Sequence, residues 1–214
     1  MKAVLVGPRP VKQPELKKLV ASVRGAQLIA VDGGLVTCHR AGLEADIAVG
    51  DWDSLRLPKL LKGVPHLTLP RDKDQSDTYS ALLAAVSLGA DHVEGFGLTG
   101  GRPDHHFAVI ADAAQAVASG YLKHVHLLGD DGDFYLFSGE LTLKVKRGAL
   151  VSAFAMGSRA RGVSFQGLRF PVNGSVISVL EPSSRGLSNV ATRADVSIRV
   201  QQGVLMVIVP RMRA

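Results

Sequence analysis

At 214 residues and 46% apolar composition, the chain can form one large domain or two small ones around a buried core, which argues against disorder. No stretch approaches the ~20 apolar residues of a membrane span, the run at Met1 to Pro8 is too short for a signal peptide, and a single cysteine, Cys38, rules out an internal disulfide or a cysteine-rich zinc site. The expectation is a soluble, cytoplasmic protein with no membrane role; the formal charge of +6 divides unevenly, about −3 over residues 1–143 and +9 over residues 144–214, which makes an anionic ligand or a charge-matched partner plausible.

Up to about residue 128, short apolar runs alternate with helical patterns, the signature of an α/β fold. Strands are expected at Ala3 to Val6, Gln27 to Val31, Ile47 to Val49, His66 to Leu69, His92 to Phe96 and His124 to Leu128. Helices are expected at Pro14 to Val23, Thr78 to Leu88 and Pro103 to Ser119, two of them opened by a proline in the first turn. The sequence Gly129-Asp130-Asp131-Gly132-Asp133 reads as a hinge. Beyond it, β-branched segments at Leu141 to Val145, Leu150 to Phe154, Val176 to Leu180, Val196 to Val200 and Val204 to Val209 suggest an all-β sandwich or barrel-like module. The expected organisation is an open, mostly parallel sheet flanked by helices over residues 1–133, followed by the β module over 134–214.

Four aspartate-bearing turns stand out: Asp32-Gly33-Gly34, Gly50-Asp51-Trp52-Asp53-Ser54, Lys73-Asp74-Gln75-Ser76-Asp77 and Gly100-Gly101-Arg102-Pro103-Asp104-His105. All fall where an open α/β sheet places its ligand crevice, beyond the carboxyl ends of strands. Short carboxylates near glycines suit Mg²⁺, which takes hard oxygen ligands and shares its shell with substrate phosphates. Asp51 and Asp53, two apart in an extended segment, would point to one side and share a metal. Each aspartate alone is adequately explained as a turn or N-cap residue, but four such turns in order favour one shared site. In Thr99-Gly100-Gly101-Arg102, glycines would let backbone amides approach a phosphate at a helix start, and Arg102 would add a bidentate donor.

Gly95-Phe96-Gly97-Leu98-Thr99-Gly100 also fits G-x-G-x-x-G, but it lies late in the sheet and no acid closes a following strand about 20 residues on, so a dinucleotide site is disfavoured. The chain has no G-x-x-x-x-G-K-[ST] phosphate loop.

The four motifs, with Gly167-Leu168-Arg169-Phe170 and Gly186-Leu187-Ser188-Asn189 in the second half, resemble the thiamin pyrophosphokinase family over nearly the whole chain. The resemblance implies transfer of the terminal pyrophosphate of Mg-ATP to the hydroxyethyl oxygen of thiamin, giving AMP and thiamin diphosphate. Carried over by motif, Asp32, Asp51, Asp53 and Asp77 would hold Mg²⁺, with Asp51, Asp53, Asp77 and Asp104 at the chemistry. Gly33, Gly34, Lys73, Gln75, Thr99, Gly100, Gly101, Arg102 and His105 would face ATP, and Ser188 and Asn189 thiamin. Family members are homodimers with the thiamin site between subunits. Trp52 stands where the family usually has Phe, Ser76 where it has Thr, and Phe107-Ala108-Val109 where Leu-Ala-Asn is common; with no second tryptophan, Phe165 or Phe170 is left to stack on thiamin.

Two alternatives remain open at this point. One is a pyrophosphokinase for another small alcohol, such as a hydroxymethylpterin. The other is a basic nucleic-acid-binding module, prompted by Arg159, Arg161, Arg169, Arg185, Arg193 and Arg199, against which stand the lack of a basic-aromatic cluster and the acidic first half.

Overall fold

A computed structural model describes residues 1–23, 25–53, 57–180 and 186–211; Ser54 and Arg185 lie outside the described residues. Five strands of the first half arise where apolar runs are bounded by Gly, Asp or Pro: β1 (Lys2–Val6), β2 (Gln27–Val31), β3 (Ile47–Gly50), β5 (His92–Phe96) and β6 (His124–Leu128). The short, exposed β4 (His66–Thr68) closes the edge. These six strands run parallel in the order β6-β5-β1-β2-β3-β4.

Helices cover both faces. On one side α3 (Asp77–Ser87) and α4 (Pro103–Ala118) pack Ala81, Leu82, Ile110 and Ala113 against Ala3, Leu5, Ile29 and Val93. On the other, α1 (Gln13–Ser22) and α2 (Gly34–Arg40) pack Leu16, Leu35 and Cys38 against Val4, Val6, Leu28 and Ala30. The helix α2 had no sequence signal, because seven residues including Gly, Val and Thr give neither length nor propensity. It forms because it docks: a Cβ on Gly34 would lie 1.8 Å from the Val6 carbonyl oxygen, so only glycine admits this approach. Cys38 is buried and its thiol is pushed up to about 12, a packing group.

The segment expected as a hinge is a tight turn. The Gly129 amide donates to the Gly132 carbonyl at 3.0 Å, and β7 (Gly132–Lys144) runs back antiparallel along β6. One hydrogen-bonded sheet therefore continues from the helical half into the β-rich half, where β11 (Asp195–Pro210) lies between β7 and β8 (Leu150–Gln166), and β8 also pairs β10 (Asn189–Val190) and β9 (Ser175–Ser178). The strands there are longer than local patterning indicated: β8 is Leu150–Gln166 and β11 is Asp195–Pro210. The two expected strands at Val196 to Val200 and Val204 to Val209 are one strand, with a register shift around Gly203, whose φ is +94°. The two-residue β10 (Asn189–Val190) completes the set. A second core of Phe137, Val163, Phe165, Ile198 and Leu205 fills this half.

On the α1 side of β5 to β7, no helix among the described residues covers a polar face. His92 stacks on His124 at 4.7 Å, His124 on Phe137 at 5.9 Å, and His126 on Tyr135 at 4.1 Å, with His126 also paired to Glu94. Burial, then the neighbouring His92, lowers the His124 pKa. A histidine with a lowered folded-state pKa contributes stability that is present above its unfolded value of about 6.5 and is lost as pH falls below it. Urea denaturation should therefore show a lower midpoint at pH 5 than at pH 7.5, and His124→Phe should shrink that difference; an unchanged difference would remove His124 as its source. Separately, Gly34→Ala should cost about 2 kcal/mol or more in the same assay, from overpacking against β1; a neutral result would show that α2 can shift without cost.

Candidate active site at the carboxyl ends of the parallel strands

A cleft of about 620 Å³ opens where β1, β2 and β3 end, walled by the starts of α3 and the inner face of α4. Among the described residues six carboxylates line it, from Asp32, Asp51, Asp53, Asp74, Asp77 and Asp112, against two cations, Arg71 and Lys73. Three of the four expected turns meet here. Carboxylate oxygens of Asp32, Asp51 and Asp53 all lie within 4.8 Å of one another. Asp32 has a left-handed backbone (φ 48°) and its amide donates to the Val49 carbonyl at 2.8 Å, which fixes the end of β2 against β3. A Cβ on Gly50 would fall 3.0 Å from the Asp32 Cα, so glycine permits that contact.

The Asp51-Trp52-Asp53 segment is not extended, as the sequence suggested, but kinked. Trp52 has φ 63°, and the Asp53 amide donates to Asp51 Oδ1 at 3.2 Å, so a turn and not strand alternation brings the two side chains together. Trp52 is held by a hydrogen bond from its indole nitrogen to Thr68 Oγ1 at 2.9 Å.

Lys73 organises the other side. Its Nζ lies 3.1 Å from Asp51 Oδ2 and 3.2 Å from Asp77 Oδ1. Burial works against the charge on Asp51, but the Asp53 amide and Lys73 outweigh it and hold its carboxyl below the usual range. Asp77 is more deeply placed, and burial pushes its carboxyl up despite Lys73. Burial opposes the Lys73 ammonium too, yet Asp51 and Asp77 raise its pKa overall. Asp77 stands outside the Asp32–Asp51–Asp53 cluster and joins it through Lys73. Asp77 opens α3, whose N-cap, Ser76, accepts from the Tyr79 amide and donates to Asp112. Asp112 was not singled out in the sequence; only its place on α4, on the same stripe as the cleft residues His105, Ala108 and Val109, could have flagged it.

The glycine turn after β5 differs from expectation in detail. Gln75 and His105 line the aspartate cleft, whereas Gly100, Gly101, Arg102 and Asp104 do not. Arg102 donates through Nε and Nη2 to Asp104, which also accepts the His105 amide, and Arg102 holds the Asp104 carboxyl at about 2. Both are exposed at the start of α4 and satisfy each other, so neither reaches the aspartate cluster. The Gly100 amide, expected to face phosphate, donates to His106 Nδ1 at 2.8 Å. Gly33 and Gly34 serve the docking of α2 and do not line the cleft.

Ser188 and Asn189 lie in the β-rich half, away from this cleft. The Ser188 backbone is left-handed (φ 52°), with its amide bonded to Ser152 Oγ. Asn189 is buried, and its amide group bonds the backbone of Phe170 twice and of Val190 once, clamping the loop before it. Phe165 is buried in the second core and is not free to stack on a ligand; Phe170 is 59% exposed, with the Arg169 guanidinium 5.5 Å from its ring centre.

Residues 22–122 match the family model for the thiamin pyrophosphokinase catalytic domain. The chain is 27% identical over 186 residues to the thiamine pyrophosphokinase of Bacillus subtilis (strain 168), covering 84% of this chain and 85% of that protein. Among solved structures, the B. subtilis thiamine pyrophosphokinase aligns over 100% of both chains with a TM-score of 0.81 at 22% identity. The thiamin pyrophosphokinase of Candida albicans aligns over 98% of this chain and 90% of its own with a TM-score of 0.76 at 12% identity. These matches do not favour the pterin or nucleic-acid alternatives. Family match, relative and fold agree with one another: the chain is similar to the thiamin pyrophosphokinases in sequence and shares their fold.

Proposed function

We propose that the protein transfers the terminal pyrophosphate of ATP to the hydroxyethyl group of thiamin, releasing AMP and thiamin diphosphate. The observation that carries this reading is the meeting of Asp32, Asp51 and Asp53 within 4.8 Å beside Lys73, at the carboxyl ends of the parallel strands. Three adjacent carboxylates form an all-oxygen donor set that fits Mg²⁺. Bound there, magnesium would neutralise phosphate charge and help hold the transferring group in line.

The chain's own residues supply the rest. Asp51 stays ionised because the Asp53 amide and Lys73 stabilise its charge. Lys73 offers the cleft an ammonium able to pair with phosphate oxygens, and Gln75 and His105 stand at its wall. Arg102 can serve a phosphate by exchanging Asp104 for it, which needs only rotation of exposed side chains. One cleft carboxylate takes the proton of the attacking hydroxyl. In this reading residues 1–133 provide the ATP and metal site and residues 134–214 the thiamin side, where Ser188 is exposed and Asn189 shapes the loop carrying Phe170. A homodimer would cover the exposed Val179, Leu180 and Leu187 and bring a thiamin surface toward the cleft. We place the protein in the cytoplasm; among the described residues no helix is long and apolar enough to cross a membrane.

The test is to incubate the protein with ATP, Mg²⁺ and thiamin and to follow AMP and thiamin diphosphate by chromatography. Both products should form in equal amounts and vanish with EDTA; AMP formed only with a different alcohol would move the acceptor. Asp51→Asn should lower turnover by roughly a hundredfold or more while leaving the urea midpoint near that of the parent, because it removes charge from the metal cluster and keeps shape. A folded, fully active Asp51→Asn protein would overturn the metal assignment.

A further inference from the structure

Among the described residues, the turn over residues 69–76, between β4 and α3, supplies both cations that line the aspartate cleft, Arg71 and Lys73. They stand in different states. Lys73 is largely buried and already engaged, its ammonium 3.1 Å from Asp51 Oδ2 and 3.2 Å from Asp77 Oδ1. Arg71, which carried no signal in the sequence, is exposed, and among the described residues it makes no ion pair with any of the six cleft carboxylates and no side-chain hydrogen bond. A guanidinium with five donors and no acceptor is thus left with its donors unclaimed at the wall of an acidic cleft.

The backbone that carries it is fixed. The Leu69 amide donates to the Gly50 carbonyl at 2.9 Å, and Pro70 restricts the chain immediately before Arg71. At the other end the Ser76 hydroxyl accepts from the Tyr79 amide at 2.9 Å and donates to Asp112 at 2.5 Å. Lys73 ties down the middle of the turn through its two ion pairs. What remains free to move toward a ligand is the Arg71 side chain.

Charge gives that freedom a use. Six carboxylates against two cations leave the described lining of the cleft formally with four negative charges in excess, and a Mg²⁺ held by Asp32, Asp51 and Asp53 would offset only half of them. A phosphate chain entering such a cleft still meets like charge. Arg102 is not at hand to relieve it, because it lies outside the cleft lining and is bonded through two nitrogens to Asp104. Arg71 has no such partner to give up.

We propose that Arg71 grips the pyrophosphate group that is transferred, its planar fork taking the oxygens of the terminal phosphate while the aspartate cluster acts on the group through the metal. This inference rests on the pyrophosphate transfer proposed above, and it adds the residue that recognises the moving group itself. Because that group is common to donor and product, Arg71 serves both.

Calorimetric titration with inorganic pyrophosphate in the presence of Mg²⁺ probes this contact without acceptor or turnover. Wild-type protein should bind pyrophosphate; Arg71→Gln should weaken binding roughly ten- to a hundredfold, the range for losing a charge-assisted contact, and Arg71→Lys should recover part of it, since an ammonium keeps the charge but lacks the fork. Mn²⁺ alone should bind Arg71→Gln at least as tightly as the parent, because a positive charge has been removed from beside the metal cluster. Parent-like pyrophosphate affinity in Arg71→Gln would overturn the assignment. So would an equal loss of Mn²⁺ and pyrophosphate binding, which would make Arg71 a residue that shapes the cleft, and so would a wild-type protein that binds Mn²⁺ but no pyrophosphate. If pyrophosphate binding follows the expected pattern while no thiamin diphosphate forms, the Arg71 contact stands and the acceptor is what fails.

Discussion

A concentration of negative charge at three strand ends is the constraint on which the site depends. Among the described residues, six carboxylates share one cleft with Arg71 and Lys73 against them, an arrangement that repels itself unless a cation stands between its members. Lys73 does so between Asp51 and Asp77, at distances that make it an ion pair to both. Its position is in turn fixed by the turn that ends in the Ser76 cap, and Ser76 is fixed by Asp112 from the neighbouring helix. The chain from α4 through Ser76 to Lys73 and Asp51 is thus one connected polar structure, in which the fold of two helices sets the electrostatics of a metal cluster built on strands.

Much of this was legible in the sequence, for a physical reason. Aspartates at strand ends obey local rules, so Asp32, Asp51, Asp53 and Asp77 could be read as convergent once the alternating α/β pattern was recognised. What could not be read was any arrangement set by contacts between distant segments. Asp112 looks like one polar residue in an alanine-rich helix until α4 is placed against Ser76. His106 takes the Gly100 amide only because the helix start curls back on the turn before it.

The local rules also misled where backbone conformation departed from the regular pattern. Strand alternation seemed to explain why Asp51 and Asp53 point together, yet the left-handed Trp52 does the work. Glycines and aspartates at 129–133 have the composition of a linker, but they also have the composition of a tight turn, and the antiparallel partner of β6 selects the turn. Asn189 reads as a ligand contact by motif, and in the structure its side chain also bonds the backbone of Phe170 and Val190, a link that only the folded chain reveals.

The tight turn at Gly129–Gly132 joins β6 directly to β7 by five ladder pairs, from His124 with Phe137 to Leu128 with Asp133. A chain that changes from helix-covered sheet to β-rich sheet through a ladder cannot pivot there as two bodies on a flexible tether can; to swing, it would have to shear hydrogen bonds that lie inside the core. The loops beyond the strand ends that carry Trp52 and Lys73 stand on this continuous sheet. The helix-covered half and the β-rich half therefore meet through a continuous ladder and share one sheet, so the placement of one half is fixed by the register of the other.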